Sequence, residues 1–436
     1  MEETVRRHLP RPVSVHVRPQ VSPSPSLHSP APAVSSLLFA IASDDAEQVR
    51  TVLGRGDVGP NDDTGPQSAL AFALTNEQLS NKVDIVKALL AYGADPAALR
   101  DPERNPPHRS DMDSRSSMIV SPPPMTSLEA MDPATRYYIS RAGAPNTRRT
   151  SNLIQRSFFR PLTRARYDII GQDRAFEQLF MVLNQHSQSF AVAPIVVLLC
   201  GPSGHGKSLL ARKFGSLLDV PTHTVNVTTL RSTNDIWKSH SMSPYEEPSN
   251  CTLAQFLLEN EGKRCVVVLD EIEKTNDPKV LYPLLMPWEL GRCSPKAGDR
   301  HIDVRNVVWL GTSNVGHDLV FEYQDSLQRG DATMSRKEYV ELTDRLRPRV
   351  SERLGASILS RVTAVLPFVP FSTDEKMAIA AEALFSLGGA LAAGLSPDAV
   401  ERAAQAALDR YVPPEGARSL YRAVSGLLLD ISDTQE

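Results

Sequence analysis

The stretch PIVVLLCGPSGHGKSLL, residues 194–210, limits the fold more than any other part of the chain. Its unbroken apolar run, with β-branched Ile195, Val196 and Val197, reads as a strand buried on both faces. The run enters a loop with glycines at 201, 204 and 206, and the loop opens into the amphipathic stretch SLLARKFGSLL. A doubly buried strand that feeds a helix belongs in a parallel sheet, because parallel strands need crossover connections. THTVNV (222–227), RCVVVLD (264–270) and NVVWLGTSN (306–314) read as three further buried strands between helical periods. Residues 166–366 are therefore expected to form an α/β domain around a parallel sheet. After about Leu366 the runs TDEKMAIAAEALFSLGGALAAG and SPDAVERAAQAALDRYV predict a smaller helical lid over 367–436.

The first hundred residues repeat themselves. Leu37, Phe39 and Ala40 recur as Leu70, Phe72 and Ala73 at an offset of 33, and Val49, Leu53 and Gly56 as Val86, Leu90 and Gly93 at 37. A four-residue insertion around EQLSNK accounts for the change. The offset of 33 is the ankyrin period, so residues 35–99 are expected to be an all-α pair of ankyrin-like repeats, each closed by a glycine in the left-handed turn. The T-P-L-H signature is missing, and a generic pair of helical hairpins is the alternative. About three repeats are normally needed to bury a core. Either a degenerate third repeat or another part of the chain must then cover the pair.

Residues 1–34 are rich in Pro and Ser and read as a disordered tail. The absence of Asp and Glu between Thr4 and Ser43 resembles a transit peptide, but Glu2, Glu3 and seven prolines oppose it. Residues 100–165 read as a linker with one helix inside SLEAMDPATRYYISRA. Seven arginines from Arg141 to Arg166 fit a solvated linker or a docking stretch.

Length and charge narrow the class. A chain of 436 residues calls for two or three units. A net charge of −4 without clustered Lys and Arg argues against nucleic-acid binding. Cys200, Cys251, Cys265 and Cys293 form no C-x-x-C pair, which suits reduced thiols. No apolar run approaches the roughly 20 residues of a membrane span. A soluble, cytoplasmic protein is expected, with a mitochondrial location as the alternative.

The chemistry follows the sheet. Gly201, Pro202, Ser203, Gly204, His205, Gly206, Lys207 and Ser208 match G-x-x-x-x-G-K-[ST] between a strand and a helix. Backbone N–H groups there form a phosphate nest, with Lys207 for the β/γ-phosphates and the Ser208 hydroxyl for Mg²⁺. His205 reads as a variable loop position. In CVVVLDEIEK the strand carries Asp270 to its carboxyl end, where it can hold Mg²⁺ through water. Glu271 is the candidate general base for the attacking water, a role worth typically ~10²–10⁴-fold. Asn314, at the end of the next strand, can bond the water or the γ-phosphate. The cofactors expected are ATP and Mg²⁺, and the reaction is hydrolysis of ATP.

In order and wording these stretches resemble the Clp-type AAA+ ATPases, most closely the C-terminal ATPase module of ClpB-like disaggregases. The likeness spans about residues 160–430. GPSGHGKS and LDEIEK are similar to its Walker A and Walker B motifs, and TSN to sensor 1. IIGQDRAFEQL (169–179) resembles the entry motif, which implies that Ile169 and Ile170 flank the adenine. LSRVTAVLPFVPFS implies Arg361 as arginine finger, and GARSLYRAV implies Arg418 as sensor 2. A P-loop AAA+ fold with a helical lid, a homohexamer and an unfolded or aggregated protein substrate follow from the resemblance. Guanidinium groups suit charge spread over phosphoryl oxygens, and one supplied in trans can be worth roughly 10³–10⁵ in rate. An ankyrin-like pair ahead of one such module also resembles the ankyrin-bearing mitochondrial disaggregases of animals, with a protein partner at the repeats.

One departure stands out. Where threading relatives carry a glycine–aromatic–glycine pore loop, this chain has SHSMSPYEEPSNCTL (239–253). Tyr245 is its only aromatic and has no flanking glycine. A nucleotide-gated ankyrin scaffold with little threading is the alternative function, and Glu271 favours hydrolysis over it.

Overall fold

The computed structural model describes residues 33–62, 67–99, 131–144, 147–148, 160–188, 193–241, 251–275, 277–295, 300–327 and 333–433. The tail up to residue 32, the linker stretch 100–130 and Tyr245 lie outside them.

The repeated stretches form two helix pairs, α1 (Ala33–Ala42) with α2 (Ala46–Arg55), and α3 (Ala69–Thr75) with α4 (Lys82–Ala91). Gly56 and Gly93 follow α2 and α4 with φ of 78° and 96°, a region open to glycine at little cost. Polar side chains tie one pair to the other. The Asp44 carboxylate accepts from the N–H groups of Ser80 (3.1 Å) and Asn81 (2.9 Å), and Asn61 bonds Gly93 O and Asp95 N, both at 2.8 Å.

The pairs do not close their own core. Leu37, Ile41, Leu70, Ile85 and Leu89 are buried together with Tyr138 and Ile139 of α5 (Pro133–Gly143) and with Tyr167, Ile170, Phe371, Ile379 and Leu420 from farther along the chain. The cover that two repeats lack thus comes from α5 and the C-terminal helices. α5 is the helix anticipated in the linker. It starts at an Asp132 cap, whose side chain accepts from Thr135 N, with Pro133 in the first turn. Of the seven arginines, Arg141 and Arg166 are buried, so the stretch is not simply solvated.

After α6 (Asp173–Gln188) comes a sheet of five parallel strands, with helix α7 (Lys207–Leu218) connecting the first two. The strands are β1 (Ile195–Cys200), β2 (Thr222–Asn226), β3 (Cys265–Asp270), β4 (Val307–Ser313) and β5 (Ala364–Pro367), in the order β2-β3-β4-β1-β5. Both faces are covered, as the unbroken apolar runs require. Val196, Leu198, Val267 and Trp309 enter one core, while Ile195, Val197, Val266 and Leu310 enter the other. Four strands lie where the sequence predicts them. The fifth, AVLP, is a finding of the structure: only four residues long, it gives too brief a run to stand out, yet all four are buried.

Chain direction sets the site. From β1 the chain crosses to β2, steps back through β3 and β4, and then passes over β1 to β5. The reversal falls between β1 and β4, beyond whose carboxyl ends open α/β sheets bind ligands. Register brings those ends level: Cys200 pairs with Ser313 and with Pro367. The long helix α8 (Arg336–Leu354) precedes β5, and the lid follows it as α9 (Thr373–Ala393, with non-helical backbone at Gly389), α10 (Pro397–Leu408) and α11 (Ala417–Asp433).

Candidate nucleotide site

The loop between β1 and α7 holds three glycines at positive φ: 133° at Gly201, 73° at Gly204 and 94° at Gly206. Two of them also have no room for a side chain. A Cβ on Gly201 would stand 2.4 Å from Phe368 O, and one on Gly204 1.9 Å from Glu415 O. α7 begins at Gly206 without a side-chain cap, so its first N–H groups are left for an anion.

Lys207 turns back over the loop. Its ammonium donates to Gly201 O (2.8 Å), Pro202 O (2.6 Å) and Asn314 Oδ1 (3.0 Å). Burial pushes it down to about 8 against a usual 10.5, and the nearby Arg418 charge works in the same direction. On the other side, Ser208 Oγ donates to Asp270 Oδ1 at 3.1 Å. Thr312 Oγ1 donates to the same carboxylate oxygen at 2.5 Å and accepts from Glu271 N at 3.0 Å. Thr312 therefore fixes both acidic residues. It belongs to the TSN stretch, two residues before Asn314. Glu271 itself holds φ 58°, ψ 47°, an uncommon conformation for a non-glycine residue and one that clusters at functional sites. Its carboxylate accepts from Lys274 Nζ at 2.7 Å. Glu273, another residue the sequence did not mark, accepts from Asn314 N at 2.9 Å, and its carbonyl accepts from Arg353 Nε at 2.9 Å.

The lid reaches the loop directly. Ala417 N donates to Gly204 O at 3.0 Å, and Arg418 Nη1 donates to Ser203 Oγ at 3.2 Å. His205 packs its ring among aromatic side chains. Its buried ring stacks on Phe371 with centroids 4.8 Å apart and meets Phe321 edge-on, while Nδ1 lies 2.7 Å from Ser203 O. Burial holds this imidazole down at about 4, which leaves it neutral at pH 7. Ile169 also touches the loop, its Cγ2 lying 3.4 Å from where a Gly206 Cβ would stand. Ile170 faces elsewhere, into the core shared with α1–α5.

Two candidate residues are not brought here. Tyr245 falls among the undescribed residues. Arg361 lies before β5, six residues ahead of the Pro367 that pairs with Cys200. The three strand steps alone place it about 10 Å below the site edge. There Nε donates to Glu289 Oε2 at 3.1 Å and Nη1 to Ser357 O at 2.7 Å.

The donor set fits a magnesium–nucleotide: an uncapped helix start, a buried ammonium, and a hydroxyl on a carboxylate of the kind that takes a hard cation. Among the described residues no group of three or more His, Cys, Asp or Glu side chains is placed to hold a metal. No helix among them is long and apolar enough to cross a membrane.

Residues 196–329 match the AAA domain of the dynein-related subfamily. The chain is 28% identical over 239 residues to chaperone protein ClpB of Meiothermus ruber, covering 52% of this chain and 26% of that protein. It is 25% identical over 271 residues to ClpB of Leptolyngbya boryana, covering 59% and 29%. The match thus spans little more than a quarter of these relatives. Two solved structures are also similar. One is Hsp104 with ATPγS and FITC casein in a closed state (20% identity, TM-score 0.48, covering 68% of this chain and 51% of that one). The other is the Saccharomyces cerevisiae Hsp104–ADP complex (19%, TM-score 0.46, covering 68% and 52%). Residues 196–329 thus resemble an AAA domain, and the likeness to ClpB supports a Clp-type AAA+ ATPase.

Proposed function

We propose that this protein hydrolyses ATP and uses the cycle to remodel or disaggregate other proteins. The observation that carries the reading is the convergence of Lys207, Ser208, Asp270, Glu271, Thr312 and Asn314 at one sheet edge, with Arg418 above them. Lys207 and the N–H groups of α7 bind and orient the triphosphate, and Ser208 with Asp270 holds the metal. When bound, Mg²⁺ neutralises charge on the β- and γ-phosphates. Glu271 takes the proton of the attacking water, Asn314 positions that water, and Arg418 reads the phosphates from the lid. Ile169, which abuts the loop, flanks the adenine, while Ile170 is held in the core beside α5.

Arg361 sits too far down the sheet to serve its own site. It suits a neighbour's, which needs a ring, and a homohexamer is the assembly proposed. Unfolded or aggregated protein is the proposed substrate, supported by the likeness to ClpB chaperones. Residues 35–99 are proposed to be ankyrin-like and to dock a protein partner, in the cytoplasm or in mitochondria.

A second reading is a nucleotide-gated scaffold. It draws support from Lys274, which occupies the carboxylate that should activate water. Purified protein should turn over ATP, faster with unfolded polypeptide present. Glu271→Gln should keep ATP binding while cutting turnover at least about 100-fold. Wild-type protein that binds ATP without turnover would establish the scaffold instead.

A further inference from the structure

The loop Ile169–Asp173 contains two successive residues at positive φ, Gly171 (73°) and Gln172 (62°), the second with a side chain. Such a loop holds its shape only where its surroundings impose it. One side is set by Gln172, whose amide bonds both Val369 O (2.8 Å) and Val369 N (3.0 Å) just past β5. The other side is met by α5, beside the Glu375 carboxyl that packs against Gly171.

Tyr137 and Arg141, one turn apart on the same helix face, reach the loop together. Tyr137 Oη accepts from Gly171 N at 3.0 Å. The Arg141 guanidinium lies over the Tyr137 ring, 5.6 Å from its centre. It donates to Ile169 O (3.0 Å), Gly171 O (2.8 Å), Arg166 O and, through Nε and Nη2, the Asp173 carboxylate (3.1 and 2.7 Å). Only 4% of its side chain is exposed. The planar fork matches these acceptors, and a lysine, with three donors on one atom, could not reproduce it. Tyr138, beside them, donates to Glu382 of α9 at 2.6 Å, and Lys87 of α4 donates to the same oxygen at 2.7 Å. α5 is thus anchored both to the repeats and the lid and to the loop.

We infer that Tyr137 and Arg141 are positioning residues for the nucleotide site, acting through the Ile169–Asp173 loop that abuts Gly206. They touch no ligand. By fixing the loop they set where Ile169 stands, and so the affinity for the base. The inference rests on the ATP reading given above, but the loop can be observed without nucleotide.

The test compares full-length wild type, Tyr137→Phe and Arg141→Lys. Hydrogen exchange is followed over residues 169–173 without ligand, and mant-ATP with Mg²⁺ is titrated separately. Tyr137→Phe deletes a single acceptor and guards against the case in which Arg141→Lys does not fold. Both variants should speed exchange in the loop and leave β3 unchanged. Tyr137→Phe should weaken mant-ATP binding about fivefold and raise KM with little change in kcat. Unchanged loop exchange, uniformly faster exchange or unchanged affinity would overturn the inference. Wild type that fails to bind mant-ATP would overturn the ATP reading and this inference with it. Binding by wild type with unshifted variants overturns the inference alone.

Discussion

Glu375 shows how far one residue can be displaced by its neighbours. It belongs to the capping box of α9, where Ser372 N donates to its Oε2 at 3.0 Å. Its carboxyl packs on Gly171, 3.1 Å from where a Cβ would stand. Burial there pushes it up to about 7 from 4.5; Asp173 and Asp374 add repulsion, Arg141 opposes, and Tyr137 and Tyr411 also face it. Between pH 4.5 and 7 the unfolded chain has released this proton while the folded chain keeps it. The group's contribution to stability therefore falls as pH rises through that window. Glu375→Gln keeps an acceptor for Ser372 and removes the slope. Urea midpoints at pH 5 and pH 7.5 should separate less for the variant than for wild type, and equal separations would refute the assignment. Of the residues that matter at this scale, Lys207, Ser208, Asp270 and Glu271 were legible because the chemistry and its spacing are local. Thr312 and Arg141 were not. A threonine in a strand and an arginine among six others carry no mark of the partners that bury them.

At the scale of elements, the contact between the phosphate loop and the start of α11 is the one that spacing along the chain hides. More than 200 residues separate Gly204 from Ala417, yet their backbones are bonded and too close for a methyl group between Gly204 and Glu415. Gly204→Ala should lower stability by more than the roughly 1–2 kcal/mol that a left-handed alanine costs by itself. Gly56→Ala is the control, because its φ is 78° and nothing lies within 4 Å of the added Cβ. Equal losses in chemical denaturation would show that the lid yields freely. The long strands and α7 could be read from apolar runs because each declares itself within about ten residues. β5 could not, since its four residues gain their identity only from pairing with β1.

At the scale of the whole molecule, the proposed ring makes a prediction that no single chain can satisfy. Arg361→Ala leaves a subunit's own site intact and spoils its neighbour's, while Glu271→Gln does the reverse. Each variant alone should be nearly inactive, and mixed subunits should regain a measurable part of wild-type ATP turnover. Mixtures as inactive as their components would place Arg361 outside the site. The sequence divided the chain into repeats, linker, sheet domain and lid because composition changes between them. It could not show that repeats and lid share one core, since that depends on surfaces meeting across nearly 300 residues.

The carboxylate of Glu382 makes that sharing consequential for anyone who would cut the protein into modules. Lys87 and Glu382 are only 14% and 21% exposed; burial opposes the Lys87 charge, and Glu382, Asp84 and Asp168 together outweigh it. A graft that exchanged residues 33–99 for a foreign recognition unit would remove the Lys87 partner of a half-covered anion, leaving the Tyr138 hydroxyl among the described residues, and would strip an apolar face on α5 and α9. To be accepted, the newcomer must bring a cation to that position. The front of this molecule is a keyed part, and a flexible tether would not replace it.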